Sequence, residues 1–206
     1  MTYDAAGRLV GRIEPDLSRT TTLYDEAGRV RASIDADNFR TTTLYDAASQ
    51  PTISIDSEGR RTTTVYDSNG RQQASVSPLG IRNTTVFDAA GRTASLIDGR
   101  NERFSFTYDA ASRKTQSIDP LLRRLTYSYD AASRQSFRID ARGNRSTYAC
   151  DAANQLKGRR YPDGSRCTFA YDESGSRTLT ENAAMRVTTV YDGLNRRSDT
   201  RTHYNL

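Results

Sequence analysis

The chain has 206 residues, of which 35% are hydrophobic and 27% are charged, and its formal net charge is +5. Mean hydropathy is −0.77, and no stretch approaches the roughly 20 apolar residues of a membrane-spanning helix. No secretion signal is recognisable in the sequence. A chain with so few core-forming residues is often disordered, but its 12 tyrosines, eight of which stand in a periodic motif, argue for folded structure.

An aromatic-Asp dyad recurs along the chain with a spacing of 21 residues, which falls to 20 in the last interval. The dyads are Tyr3-Asp4, Tyr24-Asp25, Tyr45-Asp46, Tyr66-Asp67, Phe87-Asp88, Tyr108-Asp109, Tyr129-Asp130, Tyr171-Asp172 and Tyr191-Asp192, and Cys150-Asp151 occupies the remaining slot. A fixed period of this size indicates an array of similar units, each of which buries its faces on its neighbours.

Each unit is predicted to contain two strands and two turns. In one unit, residues 61–66 (RTTTVY) have the β-branched and aromatic composition of a strand, and residues 67–70 (DSNG) have the composition of a turn. Residues 71–76 form a weaker second strand, and residues 77–80 (SPLG) form the second turn. Leu17, Leu122 and Met185 stand where other copies have glycine, which predicts a different turn type at those three positions.

The first strand of each unit has a fixed internal order. An arginine stands five residues before the dyad aromatic and a hydroxyl residue stands three before it, as Arg61 and Thr63 stand before Tyr66. The second strand carries an aliphatic residue near its end, such as Ile55 or Val76, until Arg160 and Glu181 replace it in two late copies. Alternation along a strand places the arginine and the hydroxyl on one face and the tyrosine on the other.

The sequence therefore predicts an all-β fold of tandem 21-residue antiparallel β-hairpin repeats in a curved or spiral sheet. We expect about nine repeats in one continuous domain over residues 1–197, followed by a C-terminal remainder at 198–206. The isolated ends of such a sheet expose unpaired strand edges, so self-association is expected.

The motif Tyr-Asp-x-x-Gly-Arg, followed by Ile-Asp-x-x-Gly-x-Arg, resembles the RHS or YD-repeat family, and the resemblance covers residues 3–197. It implies a segment of a large spiral β-shell from a secreted or cell-surface parent protein. Many such parents are polymorphic toxins whose shell encloses a C-terminal effector, and others bind carbohydrate or cell surfaces. The segment that closes the shell and the effector itself are not recognised in this sequence, so the resemblance carries over the shell role alone.

The dyad aromatics allow two interpretations. They could form a sugar-stacking platform, or they could pack between neighbouring hairpins as the core of a thin sheet. We favour packing, because Leu and Ile are too few to replace the rings. The predicted packing spine, together with the turn aspartates that follow it, consists of Tyr24, Asp25, Tyr45, Asp46, Tyr66, Asp67, Phe87, Asp88, Tyr108, Asp109, Tyr129 and Asp130.

The regularly placed acids and arginines also allow two interpretations, a polyanion-binding surface or ion pairing across the hairpin ends. We favour pairing, for example between Asp25 and Arg29 or between Asp35 and Arg40. Four arginines are predicted to act as pairing groups at the edge: Arg40, Arg61, Arg82 and Arg103. Nucleic acid is not expected as a partner, because no concentrated basic patch is visible in the sequence.

No catalytic, cofactor or metal site is predicted. Cys150 and Cys167 should be separated by an intervening strand, beyond disulfide reach, and are predicted to be free structural thiols. His203 is the single histidine, which argues against a metal site or a catalytic triad. The expected function is non-catalytic and architectural, in a wall that partners the rest of the parent shell and an enclosed effector. The alternative is a carbohydrate-binding repeat module, and a third possibility, an enzyme such as a nuclease, lacks the residues it would need.

Overall fold

A computed structural model describes residues 1–204 and contains twenty strands and no helix in that range. The chain divides into two compact units, the first spanning Met1–Arg103 and the second beginning at Phe104. The predicted all-β fold of antiparallel hairpin repeats is confirmed. Residues 205 and 206 of the predicted C-terminal remainder lie outside the described residues.

The first unit is a succession of antiparallel strands in which each strand pairs with the next. Its strands are β1 (Thr2–Tyr3), β2 (Leu9–Ile13), β3 (Arg19–Tyr24), β4 (Val30–Ile34), β5 (Arg40–Tyr45), β6 (Pro51–Ile55), β7 (Arg61–Tyr66), β8 (Gln72–Val76), β9 (Arg82–Phe87) and β10 (Thr93–Ile97). The pairing runs in chain order from β1 to β10. The period-two pattern of β-branched residues accounts for these strands.

The second unit repeats this arrangement, and its strand β11 begins with the last residue of the first unit. Its strands are β11 (Arg103–Tyr108), β12 (Lys114–Ile118), β13 (Arg124–Tyr129), β14 (Gln135–Ile139), β15 (Arg145–Cys150), β16 (Leu156–Arg160), β17 (Arg166–Tyr171), β18 (Arg177–Glu181), β19 (Met185–Tyr191) and β20 (Arg197–Tyr204). Consecutive strands again pair antiparallel, from β11 to β20. Strand β20 pairs along its whole length with β19, up to the partners Tyr204 and Met185.

Except for the turn at residues 182–185, the turns that join the strands share one geometry. In the turn at Asp67, the amide of Gly70 donates to the carbonyl of Asp67 at 3.0 Å, and the amide of Asp67 donates to the carbonyl of Arg71 at 2.9 Å. Gly70 has φ 76°, a left-handed conformation that glycine adopts without a steric penalty. A β-turn followed by a left-handed residue is a common hairpin connection.

Two of the three turns that have Leu or Met in the glycine position keep this geometry, so the prediction of another turn type is wrong for Leu17 and Leu122. Leu17 has φ 66° and Leu122 has φ 61°, and the amide of each donates to the carbonyl three residues earlier. The strand pairing on both sides holds these leucines in a conformation that bulky residues disfavour. The third turn does differ: the amide of Asn182 donates to the carbonyl of Met185, which makes this turn one residue shorter.

A register shift marks every hairpin whose turn contains the dyad Asp. Leu23 lies opposite Ala32, but the next residue, Tyr24, lies opposite Val30, so one residue of the second strand is left over. The same shift precedes Tyr45, Tyr66 and Tyr129, while the pairings between one repeat and the next are continuous. Such a bulge increases the local right-handed twist of the pair.

Each sheet has two distinct faces. The tyrosine face carries the dyad aromatic and the residues two and four before it, and the hydroxyl face carries the arginine, the hydroxyl residue and the residue just before the aromatic. Few side chains on either face are buried. The side chains with under 9% exposure are Ala32, Ala74, Ser95, Ser146 and Cys167.

The accessible surface measures how little of the chain is enclosed. It amounts to 14202 Å², whereas a compact monomer of this mass would expose about 9,600 Å². The large area agrees with the small number of buried side chains within each unit. Contacts between neighbouring hairpins must therefore hold the array together.

Candidate functional site

The dyad aspartate organises each hairpin end. Oδ1 of Asp25 accepts the amide of Arg29 at 2.9 Å, and Oδ2 accepts Nε of the same arginine at 2.7 Å. One carboxylate thus closes the turn and fixes a guanidinium. The same ion pair forms at Asp4–Arg8, Asp67–Arg71, Asp88–Arg92, Asp109–Arg113, Asp130–Arg134 and Asp192–Arg196.

These hydrogen bonds favour the ionised carboxylate. The amide of Arg29 donates to Asp25 and lowers the pKa of that carboxyl below its ordinary value, with the guanidinium adding to the effect. The pKa values of Asp67 and Asp130 are lowered for the same reason. These three carboxylates are therefore charged acceptors at neutral pH.

The arginine also reaches the next repeat. Nη1 of Arg29 donates to the carbonyl of Asp46 at 3.2 Å and to Oγ of Ser49 at 3.0 Å, while the guanidinium carbon lies 4.5 Å from the ring centroid of Tyr45. The planar guanidinium of Arg29 therefore forms an ion pair, two hydrogen bonds and a ring contact at the same time. Equivalent ring contacts are Arg8 to Tyr24, Arg71 to Phe87 and Arg113 to Tyr129.

The tyrosine hydroxyl makes a contact in the reverse direction, to the preceding repeat. The hydroxyl of Tyr45 donates to the carbonyl of Val30 at 2.9 Å, and that of Tyr66 donates to the carbonyl of Pro51 at 3.1 Å. Tyr24, Tyr129, Tyr171 and Tyr191 make the equivalent bond. Phe87 has no hydroxyl to do so. We call this set of aspartate, arginine and aromatic contacts the inter-repeat clamp.

Where the arginine of the clamp is replaced, a shorter polar side chain keeps part of the contact. Nε2 of Gln50 donates to the carbonyl of Gly70 at 3.1 Å. Oγ of Ser176 hydrogen-bonds to Oδ1 of Asn195, the fourth residue of the next dyad turn. The clamp therefore continues through copies whose sequence departs from the motif.

The structure places the ion pairs on a different arginine from the four predicted pairing groups. Within the described residues, Arg40, Arg61, Arg82 and Arg103 form no ion pair; Arg103 donates to Oγ of Ser95 and Arg82 to Oγ1 of Thr84. The carboxylate Oδ1 accepts the amide four residues after the aspartate, so the side chain of that residue lies beside Oδ2. The following residue points to the opposite strand face. Asp35 therefore binds the amide of Phe39, not Arg40.

The aromatic residues are neither fully buried nor fully exposed. The predicted spine residues Tyr24, Tyr45, Tyr66, Phe87, Tyr108 and Tyr129 are all half-buried. This arrangement suits packing on one side of the ring and leaves the other side partly accessible.

One groove on the tyrosine face of the second unit presents further apolar side chains. It has a volume of 640 Å³ and is lined by Phe104, Phe106 and Leu125, with Lys114 and the Asp119–Arg123 ion pair at its rim. Nζ of Lys114 lies 5.5 Å from the ring centroid of Phe106. Phe104 is 41% exposed. An apolar floor with a polar rim can accept a ligand that has both characters.

A second groove is rich in basic residues. Lys157, Arg159, Arg160 and Arg166 line a 430 Å³ groove in the second unit. The expectation that basic residues are nowhere concentrated is therefore wrong. Lys157, Arg159 and Arg160 lie within four residues of one another on β16, and the strand register adds Arg166 of β17, which lies opposite Arg160.

The remaining candidate groups are placed as follows. Cys150 and Cys167 are free thiols, as predicted, and Cys167 is 8% exposed. His203 is exposed on β20, opposite Arg186. Among residues 1–204, no three His, Cys, Asp or Glu side chains lie close enough together to hold a metal ion. The same residues contain no helix long and apolar enough to cross a membrane.

Comparison with known proteins finds similarity in structure alone. No family model and no curated protein matches the sequence. The structure of TcdB2-TccC3 aligns with a TM-score of 0.56 and 15% identity, covering 93% of this chain and 14% of that chain. The TcdB2-TccC3-Cdc42 complex and TcdB2-TccC3 without hypervariable C-terminal region each align with a TM-score of 0.50 and 16% identity, covering 93% of this chain and 13% of those chains.

The chain thus spans about one seventh of the length of the chains that it matches. Those structures contain RHS or YD-repeat shells, and the low identity limits the likeness to the fold. The likeness extends over almost the whole of this chain and agrees with the hairpin period read from the dyads. The chain has the fold of a YD-repeat shell segment.

Proposed function

We propose that the chain is a non-catalytic wall segment of a YD-repeat shell that encloses or displays a C-terminal effector domain. The observation that carries this proposal is the inter-repeat clamp. Arg29 holds Asp25 in its own turn and binds the carbonyl of Asp46 in the next. The polar groups of the motif thus have a structural task at each repeat.

A structural wall built from repeats depends on stable contacts between neighbouring repeats and does not require a reactive site. The clamp between Arg29 and Tyr45 joins two hairpins through a guanidinium in one direction and a tyrosine hydroxyl in the other, and copies that lack one of these groups keep part of the contact. Because stability in a repeat array depends on the contacts between neighbours, these bonds add to the strand pairing at every step. The turn carboxylates, held by amides and arginine, are acceptors committed to structure.

The comparisons support the enclosed effector by analogy. One similar structure is a TcdB2-TccC3 chain without its hypervariable C-terminal region, so in that protein a shell is combined with a variable C-terminal segment. We extend this arrangement to the parent of the present chain. The parent would be a secreted or cell-surface protein, and the partners of this segment would be the rest of its shell and the enclosed domain.

The test begins with the reading frame on both sides of residues 1–206. We expect further repeats and a different C-terminal domain. In the full-length product, that C-terminal domain should resist protease, and replacing Arg29 and Arg113 together by Gln should increase its cleavage. A frame without further repeats, or a C-terminal domain that is cleaved equally in both proteins, would overturn the shell proposal.

A second candidate function is carbohydrate binding in the groove lined by Phe104, Phe106 and Leu125. The exposed ring of Phe104 favours it, because sugar rings stack on accessible aromatic faces. The test is titration of the chain with oligosaccharides, monitored by tyrosine fluorescence. Binding that disappears in a Phe104→Ala, Phe106→Ala variant but persists in Leu17→Ala, an exposed control in the other unit, would support this function. Absence of saturable binding would exclude it.

A further inference from the structure

The last regular repeats contain a pair of arginines that the rest of the array avoids. Arg160 on β16 lies directly opposite Arg166 on β17. In six other copies the residue opposite the first arginine of the strand is aliphatic: Ile13–Arg19, Ile34–Arg40, Ile55–Arg61, Val76–Arg82, Ile118–Arg124 and Ile139–Arg145. Like charges directly opposite one another on adjacent strands destabilise a sheet. This pair is therefore unfavourable unless something else neutralises it.

No acid in the described part of the chain forms an ion pair with either arginine. The carboxylate in the turn between β16 and β17, Asp163, accepts hydrogen bonds from Oγ of Ser165 at 2.7 Å and from the amide of Ser165 at 2.9 Å. Glu181 lies on the same face, opposite Thr168, and makes no ion pair with Arg166. Both guanidiniums are exposed and can turn towards a ligand.

The surroundings of the pair form a groove with room for a small group. It lies on the hydroxyl face, where Thr147 is opposite Arg160 and Thr168 is opposite Gly158. Two nearby copies carry Phe137 and Gln116 at the position of Gly158, and the first copy carries Gly11 there. A Cβ built on Gly158 would have no neighbour closer than 3.9 Å, so the glycine leaves the floor of the groove open. Lys157 stands at the wall.

Two further arginines add positive charge nearby, but their guanidiniums lie over aromatic rings. The guanidinium of Arg145 is stacked on Phe137 at 4.0 Å, and that of Arg159 lies over Tyr161 at 4.4 Å. Arg159 belongs to the opposite face, because its partners are Tyr148 and Cys167. The groove thus combines two free guanidiniums, two hydroxyls and an excess of positive charge.

We propose that this groove binds an oxyanion, a phosphate or sulfate group, between Arg160 and Arg166. The donors available in its lining are two guanidiniums, the hydroxyls of Thr147 and Thr168, and the ammonium group of Lys157. Arginine forks suit the tetrahedral oxygens of such a group, and hydroxyls donate to the remaining oxygens. The bound anion converts the repulsion across the strands into attraction. This site is independent of the shell role and can be tested separately.

The decisive variant is Arg160→Ile, which restores the residue type of the other copies. In chloride buffer it should melt at a higher temperature than the natural chain, because the repulsion is gone. Inorganic phosphate and sulfate, added at constant ionic strength, should raise the melting temperature of the natural chain and leave that of Arg160→Ile unchanged. Calorimetric titration should show that the variant binds either ion about tenfold more weakly or not at all.

The matched control is Arg61→Ile, which removes the arginine of a pair whose partner is already Ile55. It should keep the anion response in full. To distinguish the two sources of the group, a nucleoside monophosphate and a 6-sulfated N-acetylhexosamine are titrated against the natural chain, and the tighter binder identifies the source. Equal anion responses in the natural chain and Arg160→Ile, or the absence of any response in the natural chain, would overturn the proposal.

Discussion

The hydroxyl of Tyr66 provides the most direct test of how the repeats are joined. Tyr66→Phe keeps the ring and removes only the hydrogen bond, 3.1 Å long, to the carbonyl of Pro51 in the preceding repeat. This position is favourable because the clamp arginine is replaced by Gln50, whose amide binds the carbonyl of Gly70 instead. The substitution therefore tests the hydroxyl without disturbing a guanidinium stacked on the ring.

The size of the effect follows from the half-buried position of the ring. A hydrogen bond of this kind contributes about 0.5–1.5 kcal/mol net. Partial exposure favours the lower half of that range, because water can satisfy the carbonyl that is left. For a chain of this length, about 1 kcal/mol corresponds to roughly 2–4 °C in melting temperature. Tyr66→Phe should therefore lower the melting temperature by about 1–4 °C.

Removal of the whole ring should cost more. A fully buried aromatic residue replaced by Ala loses about 3–5 kcal/mol, and a half-buried ring should lose about half of that. Tyr66→Ala should then lower the melting temperature by roughly 4–8 °C. The reverse change, Phe87→Tyr, adds the missing hydroxyl and should raise the melting temperature by about a degree or more. Gln72 occupies the position equivalent to Pro51, so its carbonyl is the expected acceptor.

The assay is thermal unfolding followed by far-ultraviolet circular dichroism at several protein concentrations, which separates unfolding from association. Tyr3→Phe is the matched control, since its ring is 59% exposed and its hydroxyl contacts only the sulfur of Met1 at 3.6 Å. Tyr3→Phe should leave the melting temperature unchanged. Equal melting temperatures for Tyr66→Phe, Tyr66→Ala and the natural chain would refute the idea that the rings and their hydroxyls join the repeats.

Three further predictions concern the turns and the thiols. Leu122→Gly should raise the melting temperature, because it removes a left-handed leucine that costs about 1–2 kcal/mol, while the greater conformational freedom of glycine in the unfolded chain offsets only about half of that gain. The control Leu121→Gly should lower the melting temperature. A lower melting temperature for Leu122→Gly than for Leu121→Gly would contradict the strain at Leu122. The depressed pKa of Asp25 means that its contribution to stability is complete above the ordinary carboxyl pKa of about 4 and is lost as pH falls through the lower folded value. Melting temperatures should thus drop below pH 4, and less so in Asp25→Asn; a flat profile would count against the clamp. Cys150 should react with a thiol reagent within the folded chain, while Cys167, at 8% exposure, should react only on unfolding; equal rates measured by mass spectrometry would show that β17 opens readily.

Prediction from the sequence succeeded where local chemistry alone decides the structure. The 21-residue spacing of the dyads, the β-branched composition of RTTTVY and the Asp-x-x-Gly turns are each sufficient to place a strand or a turn. The strands at residues 61–66 and 72–76 agree with the prediction to within a residue. Short-range pairing of successive hairpins needs no distant contact, so the pattern was readable without the structure.

Prediction failed where the outcome depends on register or on competition between elements. Leu17 and Leu122 were expected to change the turn, but the pairing of the flanking strands imposes the left-handed conformation on them. The pairing arginines were expected at Arg40 and Arg61, whereas the carboxylate binds the amide and side chain of the residue before them in the chain, as Asp56 binds Arg60.

The sequence by itself therefore determined the period, the strands and the turn chemistry of this protein, because these depend on residues within about one repeat of each other. Only the tertiary structure decided which side chains meet across strands. The bulge at each dyad, the guanidinium of Arg29 on Tyr45, and the opposition of Arg160 and Arg166 all follow from strand register. Register depends on the geometry of every turn and bulge between the strands, and a shift of one residue would move each side chain to the opposite face.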